Sequence, residues 1–494
     1  MKLYNTLSHD IQEFAPADGK TVKMYVCGVT PYSSTHVGHA LSYVAFDTLR
    51  RYLEFLGFDV RHVQNFTDVD DKIINRAKEQ GIEPDELAEE FIDDFYRTMD
   101  ALNIQRAHVY PRATQEIGPI IDTIQTLVDN GSAYPAGGDV FFRVTKKDDY
   151  GKLSHRTLDG MQAGARIEID ENKEHPMDFV LWKGARPGEP SWESPWGPGR
   201  PGWHIECTAM SMTYLGATLD IHGGGQDLIF PHHENEIAQS EATTGEAPFS
   251  KYWVHNGLLQ LGEDKMSKSL GNLVSVEDAL ENYTPDAIRL YFLSSHYRSP
   301  LSYSDEGCDA MERSADRLRH VLRPETKSTG EPMDAAAFEE QFMAGMDDDL
   351  NTPKALAALF DLSREMNRQR DEGHSISAAQ DCLRHLGSIL GLTFNERASS
   401  LKIDAKSYNA MAQELRVKIS ETGQAELSEL FADSNSNVEA VSAKDIDRLV
   451  DIRTTCRTYK QFGLADEIRG WLESQGVTVE DSAAGSIWEY RPTS

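Results

Sequence analysis

The chain has 494 residues and carries 49 lysines and arginines against 80 aspartates and glutamates, which gives a formal charge of −31 at pH 7. This length exceeds the roughly 250–300 residues of a single hydrophobic core, so we expect one large α/β domain with smaller modules. The charge excludes a protein that gathers phosphates by long-range attraction, and it indicates either an acidic enzyme or adaptation to a salt-rich, halophilic cytoplasm, where screening over about 3 Å leaves only direct contacts.

The cysteines and the hydropathy pattern predict a cytoplasmic protein. The five cysteines are widely spaced and odd in number, which is not typical of a disulfide framework and fits a reducing compartment. The chain has no apolar signal segment at its start and no run of about 18 apolar residues, so we expect no membrane association.

The first predicted elements form a β–α–β unit. Val22–Cys27 has strand character, apolar residues then recur at helical spacing up to a stop at Gly57, and Asp59–Phe66 is a second strand. This pattern is typical of a Rossmann-type doubly wound parallel sheet, whose ligands bind beyond the carboxyl ends of the strands. Three residues of interest fall at those ends: Cys27, His36 and Thr67.

The later segments predict an insertion and a helical C-terminal part. Residues 113–202 combine a helix, a hairpin and a Pro/Gly-rich loop; strand character then returns at Leu219–His222, and a helix begins near Pro231. Ser275 with Asp278 predicts a capped helix. From about Asp347 the pattern is helical, including the stretch Ile446–Gln475.

Two distant motifs predict phosphate chemistry. His36 and His39 open the first helix, where imidazoles can donate hydrogen bonds to phosphate oxygens, although simple helix capping would also explain them. Lys265 and Lys268 lie in a Ser/Gly-rich loop that can surround a polyphosphate, and the alternative is a solvated surface loop. Together the motifs favour nucleotide activation.

A third set of residues predicts a metal site. His232 and Glu236 are four residues apart on a predicted helix, and with Cys27 and Cys207 they offer two thiolates, an imidazole and a carboxylate. This donor set suits zinc. The alternative is a buried apolar Cys27 with surface pairs of histidine and glutamate, and the spacing leaves both possibilities open.

The motifs resemble those of the class I aminoacyl-tRNA synthetases, in which a histidine-rich first motif and a Lys-Met-Ser-Lys-Ser second motif bind ATP across a Rossmann sheet. Lys265–Ser269 matches the second motif at all five positions. The resemblance implies an inserted connective domain, C-terminal helical domains, and ATP contacts from these residues: His36, Gly38, His39, Lys265, Ser267, Lys268 and Ser269.

Within that class the chain is most similar to the cysteinyl-tRNA synthetase family. The shared stretches include Tyr25–Gly28, Asn65–Asp68, Trp203–Cys207 and Ile221–Gly225, and the similarity resumes at Asp349–Pro353. In that family the matching residues hold one zinc ion, which carries over to Cys27, Cys207, His232 and Glu236. His233 and Glu234 would be neighbours of the metal and not ligands.

Three further residues border the implied substrate. Cys27 and Trp203 would lie beside the cysteine side chain and Thr67 near its backbone, although core packing or helix capping would also explain Trp203 and Thr67. Asp227 would contact the ribose of ATP or the substrate amine, or complete a turn. Because zinc binds a thiolate far better than a hydroxyl, we expect no separate editing domain.

The resemblance implies a complete reaction. L-cysteine would be activated with ATP and Mg²⁺ to an adenylate and transferred to the terminal adenosine of tRNA(Cys), by a cytoplasmic protein that we expect to be a monomer. One alternative is a ligase that joins cysteine to an amino sugar, as in mycothiol synthesis. The other is an inactive, zinc-stabilised RNA-binding protein.

The resemblance also divides the chain into six parts. The Rossmann catalytic domain would comprise 1–112 and 203–300, separated by the connective insertion 113–202. We expect a stem-contact region at 301–346, a helical tRNA-binding bundle at 347–400 and an anticodon-binding region at 401–494, where Trp488 would stack on a base or anchor the packing.

Overall fold

The computed structural model describes residues 1–164, 171–261, 264–265, 274–323, 330–395, 403–422, 438, 441, 443–482 and 485–490. They form two compact units, Met1–Phe394 and Asn395–Ser494. Within the ranges given above, no helix combines the length and the apolar composition that a membrane span requires. The six-part division of the chain stays a prediction.

The first half of the first unit runs from the N-terminus into the insertion. Its elements are β1 (Lys2–Asn5), β2 (Asp10–Glu13), β3 (Thr21–Val29), α1 (Val37–Phe55), β4 (Asp59–Phe66), α2 (Asp71–Gln80), α3 (Pro84–Ala101), α4 (Ile117–Asp129), β5 (Ala133–Ala136), β6 (Asp139–Phe142), α5 (Leu158–Gly164), β7 (Phe179–Gly184) and β8 (Gly199–Pro201).

The second half of this unit returns to the sheet and ends in helices. Its elements are α6 (Trp203–Leu215), β9 (Leu219–Gly225), α7 (Glu234–Thr244), β10 (Ser250–Asn256), β11 (Leu259–Leu261), β12 (Asp264–Lys265), α8 (Val276–Asn282), α9 (Pro285–Leu293), β13 (Leu301–Tyr303), α10 (Asp305–Val321), α11 (Ala336–Asp347), α12 (Thr352–Asp371) and α13 (Ser377–Ile389).

The second unit contains three described helices and a hairpin with its own apolar core. These elements are α14 (Ala405–Thr422), α15 (Ala443–Thr458), α16 (Phe462–Ser474), β14 (Val477–Ser482) and β15 (Gly485–Tyr490). Leu415, Ile452 and Leu472 are fully buried in that core.

A four-stranded parallel sheet in the order β10-β9-β3-β4 forms the centre of the first unit. Tyr25 of β3 pairs with Val63 of β4 on one side and with His222 of β9 on the other. The chain therefore adds β4 on one side of β3 and later adds β9 on the other side. Such a topological switch point is where open α/β sheets bind ligands, and the predicted Rossmann-type sheet is confirmed.

Side chains of β3 alternate between the two faces of the sheet. Val22, Met24 and Val26 join the apolar core that includes α1, whereas Tyr25 and Cys27 belong to a second cluster with residues of α6 and α7. This alternation follows from the two-residue period of a strand. It places Cys27 on the face that α6 and α7 cover.

The predicted β–α–β unit, the hairpin in the insertion and the capped helix after Ser275 are all confirmed. The Ser275 side chain accepts a hydrogen bond from the Asp278 amide at 2.9 Å. The regular helix predicted near Pro231 begins instead at Glu234, after a π-helical segment that Phe230 interrupts with an extended backbone. The stretch 446–475 is helical as predicted, and it consists of two helices, α15 and α16, separated where Lys460 has a φ of 58°.

A buried ion pair joins α9 to α1. Arg289 Nη2 lies 2.6 Å from Asp47 Oδ2, and both side chains are inaccessible to solvent. The guanidinium also donates to the carbonyl oxygens of Leu390 and Leu102. Arg289 therefore links α1, near the start of the first unit, to Leu390, near its end.

We expect Arg289→Met to lower the free energy of unfolding of the first unit by about 1.5–3 kcal/mol, because it leaves two buried carbonyls without their donor and removes one donor from the Asp47 carboxylate, which keeps Arg51 and the Gln105 amide. Urea unfolding followed by circular dichroism measures this change. The exposed pair of Arg364 and Asp361 is the control, since Arg364→Met should cost less than about 1 kcal/mol. Equal losses in the two variants would contradict the expectation.

His62 on β4 makes stability depend on pH. Burial, with Arg50 and His108 nearby, lowers the pKa of its imidazole from 6.5 to about 3. The folded protein therefore keeps His62 neutral while the unfolded chain takes up a proton below about pH 6.5. This part of the stability is complete above that pH and is lost as the pH falls toward 3.

Between pH 7 and pH 5 the His62 contribution should fall by about 2 kcal/mol. We therefore expect the unfolding free energy of His62→Phe to fall by about 2 kcal/mol less than that of the wild-type protein between these two pH values. Urea unfolding at pH 7 and at pH 5 measures both differences. His385→Phe, at an exposed position, should retain the wild-type pH dependence. An unchanged slope in His62→Phe would refute the assignment.

Candidate active site

The start of α1 presents two stacked imidazoles. His36 is the N-cap residue, its Nδ1 accepts a hydrogen bond from the His39 amide at 3.3 Å, and the two rings lie 3.7 Å apart. A Cβ at Gly38 would lie 3.0 Å from His36 Nδ1, so a side chain there would crowd the ring. The predicted capping role of His36 is confirmed, and a role in binding phosphate is compatible with it.

Both flanks of the lysine loop contact the start of α1. On one flank, the Val37 amide donates to the Val274 carbonyl at 3.0 Å. On the other, Leu259 of β11 lies 3.8 Å from the place of a Cβ on Gly38, and β11 pairs with β12, which ends at Lys265. Ser267, Lys268 and Ser269 lie outside the described residues, as does the Lys265 side chain. The described flanks of the loop therefore lie next to the histidine motif.

Four predicted metal ligands converge behind the carboxyl end of β3. Cys27 Sγ lies 3.9 Å from Cys207 Sγ and 3.7 Å from Glu236 Oε1, and His232 Nε2 lies 3.0 Å from the same oxygen. All four donor atoms lie within 4.8 Å of one another, and all four residues are buried. Two sulfurs, one imidazole and one carboxylate at this spacing are donors that would suit a zinc ion.

The electrostatics of this cluster favour charged donors. Although burial opposes it, Glu236 and Cys207 raise the pKa of His232 to about 10. The hydrogen bond from Cys27 lowers the pKa of Cys207 to about 6, whereas burial raises the pKa of Cys27. The protein thus holds a thiolate, a carboxylate and an imidazolium proton that a cation can replace.

Neighbouring histidines hold three of the four donors in place, and the sequence had assigned only His233 among them. His222 Nε2 lies 2.8 Å from Glu236 Oε2, and His204 Nδ1 lies 3.0 Å from His232 Nδ1. His233 lies 3.2 Å from Cys27 Sγ and contacts His255, which in turn contacts Thr6. Such outer contacts fix the orientation of metal ligands.

The same neighbours create a second possible donor set, formed by Cys27, His222, His233 and Glu236. It contains one sulfur where the predicted set has two, so zinc should prefer the set with Cys207 and His232. The position of His222 at the end of a strand, before three glycines, was a signal that could have indicated it.

Of the remaining predicted site residues, Trp203 and Thr67 lie around this centre and Asp227 lies at its margin. The Trp203 indole opens α6 and stacks on His232 at a ring distance of 4.3 Å. Thr67 is buried directly after β4, where its amide donates to the Val29 carbonyl. Asp227 is exposed just beyond the end of β9. At Gly28 a Cβ would lie 1.5 Å from the Asn65 carbonyl oxygen, so only glycine permits this approach of β3 to β4.

Comparison with known proteins identifies the family. Residues 13–313 match the family described as tRNA synthetases class I (C) catalytic domain, and residues 341–395 match the DALR domain. The cysteine--tRNA ligase of Dehalococcoides mccartyi is 51% identical over 495 residues, covering 99% of this chain and 100% of that protein. The chain belongs to the cysteine--tRNA ligase family.

Other members of the cysteine--tRNA ligase family are similar to this chain over the same length. The protein from Geobacter metallireducens is 45% identical over 512 residues and is matched along 100% of its length. Among solved structures, methionyl-tRNA synthetase of Mycobacterium tuberculosis with methionyl-adenylate has a TM-score of 0.57 at 18% identity, covering 75% of this chain and 89% of that one. That likeness supports the class I fold of the family.

Proposed function

We propose that this chain activates L-cysteine with ATP and transfers it to the terminal adenosine of tRNA(Cys). The observation that carries the proposal is the buried cluster of two sulfurs, an imidazole and a carboxylate beside the exposed Trp203 ring at the carboxyl edge of the sheet. The full-length similarity to cysteine--tRNA ligases supports it.

In the first step the cysteine carboxylate attacks the α-phosphate of ATP, and pyrophosphate leaves. His36 and His39 donate hydrogen bonds to the phosphate oxygens as charge develops on them. Lys265 and Lys268 hold the departing pyrophosphate. Gly38, Ser267 and Ser269 contact the ATP, and Asp227 contacts its ribose. Magnesium accompanies the ATP.

Cys27, Cys207, His232 and Glu236 would hold one zinc ion, which supplies a soft Lewis acid that binds a thiolate in preference to a hydroxyl. A pocket that relied on size would favour cysteine over serine by only about 1–3 kcal/mol of binding free energy. A 10⁴-fold preference for cysteine requires about 5.5 kcal/mol. Trp203 shields the substrate side chain from water, and Thr67 orients its backbone.

In the second step a ribose hydroxyl of the terminal adenosine attacks the activated carboxyl carbon, and AMP leaves. The helical part of the chain from Asp347 onward and the second unit would contact the tRNA. We further expect a monomer that acts in the cytoplasm. Light scattering tests the monomer, since a single chain has a mass of 55.3 kDa.

Cysteine-dependent exchange of labelled pyrophosphate into ATP tests the first step, and charging of tRNA tests the second. Exchange without tRNA charging, but with transfer to an amino sugar, would favour the amino-sugar ligase. The absence of exchange in zinc-loaded protein, at both low and molar salt, would favour the RNA-binding alternative and overturn the proposal.

A further inference from the structure

A cavity of about 170 Å³ opens between the sheet of the insertion, formed by β5, β6, β7 and β8, and the loop that follows β4. Its walls include Val180 and Lys183 of β7, Asp70 of the loop, and Trp203 and Glu206 of α6. None of these residues belongs to the four-ligand cluster or to the histidine motif of α1. The proposed reaction therefore leaves most of the cavity wall without a role.

The size and lining of the cavity favour a single flat ring system. Its volume is well below the roughly 300–1,000 Å³ of sites that enclose a drug-sized ligand. The Trp203 side chain is 41% exposed, which is unusual for a large apolar ring and leaves part of its face open for stacking. A nucleobase satisfies both conditions because every base has a π-face.

Glu206 adds little polarity to the wall. It is 1% exposed, and its Oε2 is shielded from solvent and has no hydrogen-bond partner among the described residues. The carboxyl group therefore presents no open charge to the cavity, which suits a neutral ring.

The cations at the wall argue against a phosphate in this cavity. Lys183 Nζ lies 2.6 Å from Asp71 Oδ2, and Arg200 is bonded to the same carboxylate. Arg200 also lies 3.4 Å from Glu189. Both positive charges are thus balanced by acidic partners, and the cavity suits a neutral heterocycle better than an anion.

The position of the cavity distinguishes between the adenine of ATP and the adenine at the end of the tRNA as its occupant. Trp203 also contacts His232 of the ligand cluster, so an occupant of the cavity would border the cysteine side of the active site. ATP, by contrast, is proposed to lie against His36, His39 and the lysine loop. The second adenine of the reaction is the one at the end of the tRNA, whose ribose must reach the activated carboxyl group.

We propose that this cavity seats the adenine base of the terminal adenosine of the tRNA during transfer. The inference rests on the proposed function, and it assigns the cavity to binding of the second substrate. Stacking on Trp203 holds the base, while the walls from the insertion exclude water from the adjoining ribose.

Val180→Phe narrows the cavity and tests the assignment. We expect cysteine-dependent pyrophosphate exchange to stay within about twofold of wild type, and single-turnover transfer from preformed adenylate to tRNA to slow by about ten- to a hundredfold. Val128→Phe is the matched control, since Val128 is a half-buried valine on α4 of the same insertion that does not line the cavity. It should leave both steps near wild type.

A tRNA whose terminal ribose lacks its base completes the test. With this tRNA, the wild-type protein should transfer cysteine more slowly, by about the same factor as Val180→Phe does with normal tRNA. Val180→Phe should transfer cysteine to the base-free tRNA only a little more slowly than the wild-type protein does, because both changes remove the same interaction. Equal losses in exchange and transfer, or multiplied losses in the combined experiment, would overturn the assignment. A wild-type protein without exchange would instead refute the proposed function.

Discussion

Cys207→Ser is expected to bind zinc more than about a hundredfold more weakly than the wild-type protein and to activate cysteine at least about a thousandfold more slowly. Loss of an outer contact to a metal ligand already costs about 10–100-fold in affinity, and loss of a ligand costs more. The zinc would bind the substrate thiolate, so its loss removes binding energy for cysteine, and about 4 kcal/mol corresponds to a thousandfold in kcat/KM. Zinc content after dialysis against a chelator and pyrophosphate exchange at limiting cysteine measure the two effects.

Cys308→Ser is the matched control for this experiment. Cys308 is as buried as Cys207 but lies on α10, within the core that surrounds α1. The control should keep its zinc and its exchange activity. An unchanged zinc content in Cys207→Ser would remove Cys207 from the ligand set and leave the set with His222 and His233 as the better description.

His36→Asn is expected to separate helix capping from catalysis. Asparagine is among the best N-cap residues, so its side chain can accept the hydrogen bond from the His39 amide that His36 accepts now. Without the imidazole, the transition state loses one donor, and the maximal rate of cysteine activation should fall by about 10²–10³. Pyrophosphate exchange at saturating ATP and cysteine measures this loss.

The stability of the His36 variants provides the comparison. His36→Asn should unfold at the same urea concentration as the wild-type protein, whereas His36→Ala should lose about 0.5–2 kcal/mol with the cap. If His36→Asn retains full exchange activity, His36 only caps α1 and takes no part in the chemistry.

Local patterns in the sequence were sufficient for the first β–α–β unit. Alternation in β3 and helical spacing in α1 are properties of neighbouring residues, and Gly57 ends α1 through its own backbone preference. The π-helical segment before Glu234, the division at Lys460 and the hairpin of β14 and β15 were missed. Those features depend on tertiary packing, which overrides local propensity.

The candidate site was only partly predictable. The four ligands followed from the resemblance, because spacing alone cannot show that Cys27 and Cys207, which lie on a strand and on a helix, meet at 3.9 Å. The surrounding histidines and the partner-free oxygen of Glu206 depend on contacts between elements that are distant in sequence. The hypothesis of a salt-rich cytoplasm rests on the charge of −31 alone and stays a prediction.

The proposed ligands come from three separate segments, and this arrangement determines the order in which the protein and its metal come together. Cys27, Cys207 and Ile237, the neighbour of Glu236, are members of one buried cluster, so apolar packing brings the donors together. A zinc finger depends on its metal to fold, whereas apolar packing should here let the fold form before a metal binds. We therefore expect zinc starvation to produce a folded, inactive protein that regains activity when zinc returns, without new synthesis.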